Sequence, residues 1–118
     1  MTQEEKELLI KDLCARLPYG VKIQVPYEDG SGYFDEIVWE VNNDGPFHVN
    51  GWGIEYEYVK PYLFPLSSIT KKRLEELSEY IDIKNAYVAV ELLNSHHIDY
   101  RGLIEKGLAI DATGLNIY

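Results

Sequence analysis

Residues 85–112 read NAYVAVELLNSHHIDYRGLIEKGLAIDA, and in this stretch a helix pattern runs directly into a group of polar and aromatic side chains. Apolar residues recur at helical spacing over residues 85–96, which predicts a helix whose inner stripe consists of Ala89, Leu92, Leu93 and His96. After this helix, glycines interrupt the chain, and Leu108 and Ile110 are expected to form a short strand or to fill the core. The stretch therefore predicts the last helix of the fold and the segment that closes its core.

The end of this predicted helix carries five candidates for chemistry: His96, His97, Asp99, Tyr100 and Arg101. The simpler interpretation is helix capping, in which His97 and Arg101 bond the last carbonyls while Asp99 neutralises Arg101. In that arrangement His96 lies at the edge of the core and His97 faces solvent. The alternative is an acid–base or small-ligand site, which requires a cleft that gathers the five groups.

No metal site and no cofactor are predicted. Adjacent residues of a helix point about 100° apart, so His96 and His97 can share an ion only if the helix has already ended. The chain has one cysteine, Cys14, which excludes an internal disulfide and a cysteine-based zinc site. Because Cys14 lies beside a leucine on a helix pattern, its thiol is expected to be buried.

Upstream, residues 60–70 read KPYLFPLSSIT and contain two prolines. Proline supplies no backbone donor and restricts the residue before it, so an extended connector between sheet and helix is predicted here. Thr70 or a preceding serine can cap a following helix, whose buried stripe is expected to be Leu74, Leu77 and Ile81.

The first half of the chain predicts one helix followed by strands. Thr2 and Glu5 have the spacing of a capping box and begin a helix over residues 3–16, which Pro18 and Gly20 end. The apolar period then changes to two, and one face of a first strand is expected to hold Val21, Ile23, Val25 and Tyr27. By the same alternation, a second strand has an apolar face of Tyr33, Ile37, Trp39 and Val41. A third strand is predicted from Ile54, Tyr56 and Tyr58.

The expected architecture is a single α+β domain over residues 1–118. Its element order is α-β-β-β-α-α, with an antiparallel three-stranded meander and helices packed on one face. A chain of this length is sufficient to bury one core, and its composition, 46% hydrophobic and 26% charged, is typical of a globular domain.

The formal net charge is −9, and most of it lies in one segment. Between residues 28 and 57 there are eight acidic residues and no lysine or arginine. Such a field repels nucleic acid and anionic membranes, so direct binding to either is not expected. Strand alternation predicts one shared acidic face, formed by Glu36, Glu40, Glu55 and Glu57. This face is the leading candidate for a binding surface.

A glycine-containing loop, DGPFHVNGWG at residues 44–53, offers a second candidate surface. It lacks the lysine and the Ser/Thr of a phosphate-binding loop, and strands surround it, so a plain turn is favoured. Its His48 and Trp52 nevertheless make it a candidate contact for a ligand or partner.

These features favour a non-enzymatic interaction module that contacts a basic protein partner through the acidic face or the aromatic loop. One variant is an acidic inhibitor that imitates the charge of nucleic acid. The alternative is an enzyme or small-ligand-binding protein that uses the polar cluster at residues 96–101. The first ten residues, MTQEEKELLI, lack the pattern of a secretory signal, so a cytoplasmic location is expected.

The combination of KPYLFPLSSIT with LLNSHHIDYRGLIEKGLAIDA resembles a family of small uncharacterised proteins from gut Bacteroidetes and their phages or mobile elements. The resemblance covers residues 60–112 and does not include the acidic segment. It implies a cytoplasmic or phage-associated setting. It transfers no catalytic residue, because no activity is attached to the family.

Overall fold

The computed structural model describes residues 1–27, 29–38, 40–42, 45–47, 56–69 and 86–118. In these residues two α-helices accompany a five-stranded mixed sheet and a separate two-stranded hairpin. The α+β class predicted from the sequence is therefore confirmed. The helix predicted from Leu74, Leu77 and Ile81 lies outside the described residues.

Helix α1, Gln3–Arg16, begins and ends where the sequence predicts. The Thr2 hydroxyl accepts a hydrogen bond from the Glu5 backbone N–H at 3.1 Å, and the Glu5 carboxylate accepts one from the Thr2 N–H at 3.0 Å. This reciprocal pair satisfies donors that have no partner within the helix. A 3₁₀ turn, Leu17–Tyr19, follows, and Gly20 reverses the chain with a φ of +68°, which glycine adopts without strain.

The inner stripe of α1 is apolar at two positions and charged at two others. Leu9 and Leu13 are fully buried, and so are Asp12 and Arg16. Cys14 is exposed, so the prediction of a buried thiol is wrong. Residue 14 lies about 100° around the helix from Leu13, and this rotation carries it off the buried stripe.

The sheet is built around strand β5, Lys60–Pro65. On one side β5 pairs antiparallel with β1, Lys22–Pro26, which in turn pairs antiparallel with β2, Tyr33–Ile37. On the same side of β5, beyond the end of β1, lies a short parallel strand, β6, Ile98–Asp99, and on the opposite side lies another, β7, Ile110–Asp111. The two sides follow from adjacent backbone groups of β5, because the Phe64 N–H donates to the His97 carbonyl and the Leu63 carbonyl accepts from the Ala112 N–H. Among the described strands, β2 therefore forms one edge of the sheet.

This topology corrects the predicted three-stranded meander. The second partner of β1 is the proline-containing segment 60–65, for which the sequence predicts a connector. At the position expected for the third strand, Tyr56–Tyr58 forms a 3₁₀ turn instead. Ile54 and Glu55, from the same predicted strand, lie outside the described residues.

The β1–β2 hairpin alternates between hydrogen-bonded and open residue pairs. At each end of the hairpin an N–H of one strand donates to a carbonyl of the other, at 2.9 and 3.0 Å. In steps of two between those ends, the hydrogen-bonded pairs are Val21–Val38, Ile23–Glu36, Val25–Phe34 and Tyr27–Gly32. The turn thus sets a register in which the even-numbered residues of β2 lie opposite the odd-numbered, buried residues of β1 and face the core with them.

The predicted facing of the second strand is therefore wrong by one residue. Tyr33 and Ile37, which were expected to face the core, are 63% and 44% exposed. Tyr27, at the end of the first strand, is also exposed. Because side chains alternate between the two faces, a shift of one residue exchanges the inner and outer sets.

The strand expected over residues 33–41 is also interrupted. Val38 is buried, Trp39 lies outside the described residues, and pairing resumes in β3, Glu40–Asn42. Strand β3 pairs antiparallel with β4, Gly45–Phe47, in a hairpin separate from the main sheet. Val41 packs against the core, so the prediction that its side chain faces inward holds although the strand is interrupted.

The prolines fit into β5 because of the direction in which their nitrogens point. Ile23 bonds to β2, so its other neighbour, Pro61, belongs to an open pair on the β5 side. The nitrogen of Pro61 is thus directed away from β1, and pairing with β7 starts only at Tyr62. No ladder hydrogen bond is lost, which makes this sequence compatible with a central strand.

Helix α2, Ala86–Ser95, confirms the helix predicted near residues 85–96. Beyond it, Leu108 is buried and Ile110–Asp111 forms β7, so the chain both fills the core and adds a strand there. The core joins α1, β1, β5 and this last segment through buried side chains that include Leu9, Leu13, Val21, Ile23, Val25, Leu63, Leu103 and Leu108.

Candidate functional site

The structure describes three of the four carboxylates of the predicted acidic face. Glu36 lies half-buried on β2, Glu40 is exposed at the start of β3, and Glu57 is exposed in a 3₁₀ turn. Because Glu57 is not on a strand, strand alternation does not bring all four onto one face. The other residues predicted for the two candidate surfaces lie outside the described part of the chain: His48, Trp52 and Glu55.

Glu57 instead lines an open cavity of about 340 Å³ beside the start of α1. The charged residues around this cavity are of both signs: Glu5, Glu57, Lys60 and Lys106. Since two lysines share the cavity with Glu57, this carboxylate does not extend a uniformly negative surface. Of the predicted acidic surface, the part that remains a candidate is therefore formed by Glu36 on β2 and Glu40 on β3.

Strand β2 has no partner on its outer side within the described ranges. The hydrogen-bonded pairs direct the backbone groups of Phe34 and Glu36 toward β1, so those of Tyr33, Asp35 and Ile37 point outward. The side chains of the same three residues are exposed. We call these outward backbone groups and side chains the β2 edge. A row of this kind is a template for pairing with another strand.

Asp35 lies at the centre of the β2 edge and is held by neighbouring strands. The Tyr62 hydroxyl donates to Asp35 Oδ1 at 2.5 Å, and the Gln24 amide donates to the Tyr62 oxygen at 3.2 Å. Burial and the adjacent carboxylate raise the pKa of Tyr62 to about 12, so its hydroxyl remains a donor at neutral pH. This chain of hydrogen bonds fixes the negative charge of Asp35 at the edge of the sheet.

The polar cluster after α2 is organised around Asp12 of α1. Arg16 Nε and Nη2 donate to the two Asp12 oxygens at 2.9 and 3.1 Å, and Arg101 Nη1 donates to Oδ1 at 2.7 Å. Arg16 Nη2 also donates to the Ile98 carbonyl at 2.5 Å. Two guanidinium groups thus share one buried carboxylate and tie α1 to the segment after α2.

Tyr100 packs against both guanidinium groups. Its ring centre lies 4.5 Å from Arg101 Cζ and 5.4 Å from Arg16 Cζ. Its hydroxyl donates to Asn94 Oδ1 at 2.7 Å, and Asn94 is buried in the last turn of α2. Cation–π contacts strengthen when the groups are desolvated, so Tyr100 stabilises the buried cations.

Asp99 binds the backbone rather than Arg101. Its two oxygens accept hydrogen bonds from the N–H groups of Leu103 and Ile104, at 3.0 and 2.9 Å. The predicted neutralisation of Arg101 by Asp99 is therefore wrong. Both oxygens of Asp99 accept hydrogen bonds from the backbone of the turn over residues 102–107, and Asp12 supplies the negative charge that pairs with Arg101.

The two histidines occupy positions opposite to those predicted. His96 is exposed, whereas His97 is buried. Helix α2 ends at Ser95, and His97 adopts a left-handed φ of +58° while its N–H donates to the Asn94 carbonyl at 3.0 Å. The helical stripe no longer applies after the last helical residue, which is why it places the two rings incorrectly.

His97 stacks on Tyr118, with ring centres 3.8 Å apart and planes 12° apart. The Tyr118 hydroxyl accepts from the Lys22 N–H at 2.9 Å and donates to the Tyr62 carbonyl at 2.8 Å, so it bridges β1 and β5. Burial raises the pKa of Tyr118 to about 12. Burial and the positive charge of Arg16 lower the pKa of His97 to about 4, so the imidazole is neutral at pH 7.

The residues of the predicted polar cluster are thus engaged in separate structural contacts. Asp99, Tyr100 and Arg101 each form hydrogen bonds with a different partner. Two buried nitrogens nearby, Arg16 Nη1 and His97 Nδ1, have no hydrogen-bond partner. This is the pattern of a buried polar network rather than of groups that converge on a substrate. Among the described residues, no set of three or more His, Cys, Asp or Glu side chains is arranged to hold a metal ion.

Replacing His97 with asparagine is expected to remove part of the pH dependence of stability. The imidazole has a pKa of about 4 when folded, against an ordinary value of 6.5, so the unfolded state binds more protons between these values. The destabilising effect of His97 is therefore absent above about pH 6.5, and the free energy of unfolding falls as the pH decreases from there toward 4. From about pH 7.5 to about pH 4.5, the wild type should lose about 2 kcal/mol more than His97→Asn, measured by urea unfolding.

Asparagine is chosen because it tolerates a positive φ, so this variant adds little backbone strain. His96→Asn is the matched control, since its histidine is exposed. It should retain most of the pH dependence of the wild type, because burial and Arg16 lower the pKa of His97 more than the charge of His96 does. Equal pH dependence in His97→Asn and the wild type would show that burial does not keep the His97 imidazole neutral.

Several residues of this network are not predicted from the sequence. Asp12 and Arg16 do carry a signal, since they are four residues apart on the same stripe as Leu9 and Leu13. Charged residues within an apolar stripe indicate a buried ion pair. Tyr118 carries no local signal, because the carbonyl that it bonds is 56 residues away.

No family model, no curated protein and no solved structure matches the chain. The resemblance of residues 60–112 to proteins of gut Bacteroidetes and their mobile elements therefore stays a prediction. Within the part of the chain that the structure describes, no helix is both long enough and apolar enough to cross a membrane.

Proposed function

We propose that the protein is a non-enzymatic interaction module that binds a basic segment of a partner protein. The observation that carries the proposal is the β2 edge, which combines outward backbone groups, two exposed apolar side chains and Asp35. It belongs to the segment of residues 28–57, which contains eight acidic residues and no lysine or arginine. The proposal includes the cytoplasmic setting that the sequence predicts.

The negative charge on and beside the β2 edge supports the proposal that the partner is cationic. Asp35 and Glu40 are exposed, and Glu36 is half-buried between them along the chain. Complementary charge raises the rate of encounter, and charges at the rim of an interface affect association more than dissociation. Salt screens exposed charges, so the affinity for a basic partner should fall as the salt concentration rises.

The side chains of Tyr33 and Ile37 supply the apolar part of the contact. Both are large and exposed on β2, one on each side of Asp35. Tyrosine is enriched in protein interfaces because its ring buries a large area and its hydroxyl can remain hydrated. An interface that covers both side chains therefore gains apolar burial around a central charge.

An acidic inhibitor of a nucleic-acid-binding protein is one form of this proposal, since such proteins present basic surfaces. In that form, nucleic acid should compete with the module for its partner. An enzyme or small-ligand-binding protein is the alternative, carried by His96, His97, Asp99, Tyr100 and Arg101. We do not favour it, because three of these five side chains bond to structural partners and a fourth stacks in the interior.

Reversing Glu36 and Glu40 to lysine is expected to slow association with a basic probe by about tenfold. The probe is a synthetic peptide, TVKKVT, with blocked ends. Surface plasmon resonance at low and high salt measures its association rate. At the exposed Glu40, the free energy of unfolding should change by less than about 0.5 kcal/mol, as for most exposed substitutions.

The matched control reverses Glu57 and Glu105, which raises the net charge by the same amount. Glu57 shares its cavity with two lysines, and Glu105 is exposed in the turn after β6. This control should bind the probe almost as fast as the wild type. If both double variants slow association equally, net charge alone decides the rate, and the proposed surface is wrong.

A further inference from the structure

We infer that the partner segment binds as an extended strand that pairs with the β2 edge. The inference rests on the proposed function and specifies both the geometry of recognition and the sequence that is recognised. In strand addition, main-chain hydrogen bonds supply affinity, and side chains that alternate between the two faces supply specificity.

The backbone of β2 has the groups that such pairing needs. Tyr33, Asp35 and Ile37 direct their N–H and C=O groups outward, whereas those of Phe34 and Glu36 bond to β1. Hydrogen-bonded pairs in antiparallel sheets recur every second residue, so one added strand can engage all three outward residues. It does so without breaking any bond between β1 and β2.

A second copy of this chain is a poor occupant of the edge. Antiparallel pairing of two β2 strands centred on Asp35 places the two Asp35 side chains opposite each other. Like charges directly opposite in a ladder are destabilising, and charged edges are a common protection against self-association. A strand with a basic residue at that position converts the same charge into an attraction.

The register predicts the sequence of the bound segment. The residues opposite Asp35 and Glu36 are adjacent on the added strand and lie on opposite faces, and both should be lysine or arginine. The residues on either side of them lie opposite Phe34 and Ile37 and should be apolar. The partner strand therefore carries two adjacent basic residues between two apolar residues, as in TVKKVT.

Backbone methylation of the probe tests strand addition directly. One peptide carries N-methyl groups on the three alternate residues whose N–H groups would face β2, namely those opposite Tyr33, Asp35 and Ile37. A second carries them on the other three residues, with the same charge and composition. We expect the second to bind like TVKKVT in an NMR titration, and the first to bind at least about tenfold more weakly.

Two measurements on the protein complement the peptides. Ile37→Pro removes an outward N–H without removing a bond to β1, so it should lose peptide binding, whereas Ile37→Val should retain it. If the proline variant fails to fold, amide hydrogen exchange of the wild type replaces it. Peptide should slow the exchange of Tyr33, Asp35 and Ile37, while Phe34 and Glu36 are protected from the start.

Equal binding of the two N-methylated peptides, with no change in amide exchange, would overturn strand addition. The proposed function would survive that result if binding still weakened with salt and with the Glu36→Lys, Glu40→Lys variant. A scrambled peptide, KVTTVK, tests the predicted order, and it should bind several-fold more weakly than TVKKVT. If neither peptide binds at low salt, the proposed function fails together with the inference.

Discussion

An Asp12→Asn variant is expected to lose about 3–5 kcal/mol of its free energy of unfolding. Asparagine keeps the size of the side chain but removes the negative charge that Arg16 and Arg101 share. Arg16 is fully buried, and a buried guanidinium that loses its counter-charge is strongly destabilising. The loss is a large part of the roughly 5–15 kcal/mol that a typical domain possesses. Urea unfolding at neutral pH measures it.

Two further variants separate the charge of Asp12 from its position. Arg101→Gln should cost less than Asp12→Asn, because Asp12 keeps both hydrogen bonds to Arg16 and the side chain of Arg101 is 15% exposed. Glu7→Gln, on the exposed side of α1, should change stability by less than about 0.5 kcal/mol. A loss of under about 1 kcal/mol in Asp12→Asn would mean that the buried cations do not depend on this carboxylate.

A Leu63→Ala variant is expected to lose about 2–5 kcal/mol of its free energy of unfolding. Leu63 is fully buried at the centre of β5 and belongs to the core that α1 and β1 also form. Truncation removes the apolar contacts of three carbons, Cγ and the two methyl groups that it bears, and leaves a cavity between these elements. Chemical denaturation measures the loss, and the slope of the transition should stay the same if the fold is retained.

Leu66→Ala is the matched control, because Leu66 follows β5 by one residue and is 52% exposed. Its substitution should change stability by less than about 0.5 kcal/mol. The comparison also tests the topology. If residues 60–70 formed an extended connector in solvent rather than a central strand, the two leucines would be almost equally tolerant of substitution.

The buried network and the β2 edge are linked through the sheet. Arg16 and Arg101 fix the segment of β6 against α1, and β6 pairs with β5. Tyr118 bridges β5 and β1, and β1 carries β2. The polar residues considered for a catalytic cluster therefore hold together the sheet whose edge we propose as the binding surface.

The parts of the fold that the sequence predicts correctly are those with local signals. Helix α1 has its capping box, its apolar stripe and its terminating glycine within a few residues of one another. Helix α2 is likewise predicted by apolar spacing alone. The facing of β2 is not, because it depends on the hydrogen-bonded pair Tyr27–Gly32 that closes the turn. A difference of one residue at that pair exchanges the two faces of the strand.

The candidate site divides in the same way. The acidic character of residues 28–57 is a property of the sequence alone, because this segment contains no lysine or arginine in any fold. Among the described strands, the position of Asp35 at the edge of the sheet depends on the strand order. The sequence does not predict that order, because the two prolines of β5 indicate a connector rather than a central strand. The exchange of His96 and His97 follows from a left-handed residue at the end of α2, where helical periodicity stops.

By itself, the sequence determined the two helices, the α+β class and the acidic segment, because hydrophobic period, capping and charge act over a few residues. Only the tertiary structure decided that residues 60–65 form the central strand and that Asp12 is the common partner of Arg16 and Arg101. Those features join groups as far as 89 residues apart along the chain. Their energy comes from burial and pairing that exist only once the elements have packed together, so no local pattern carries them.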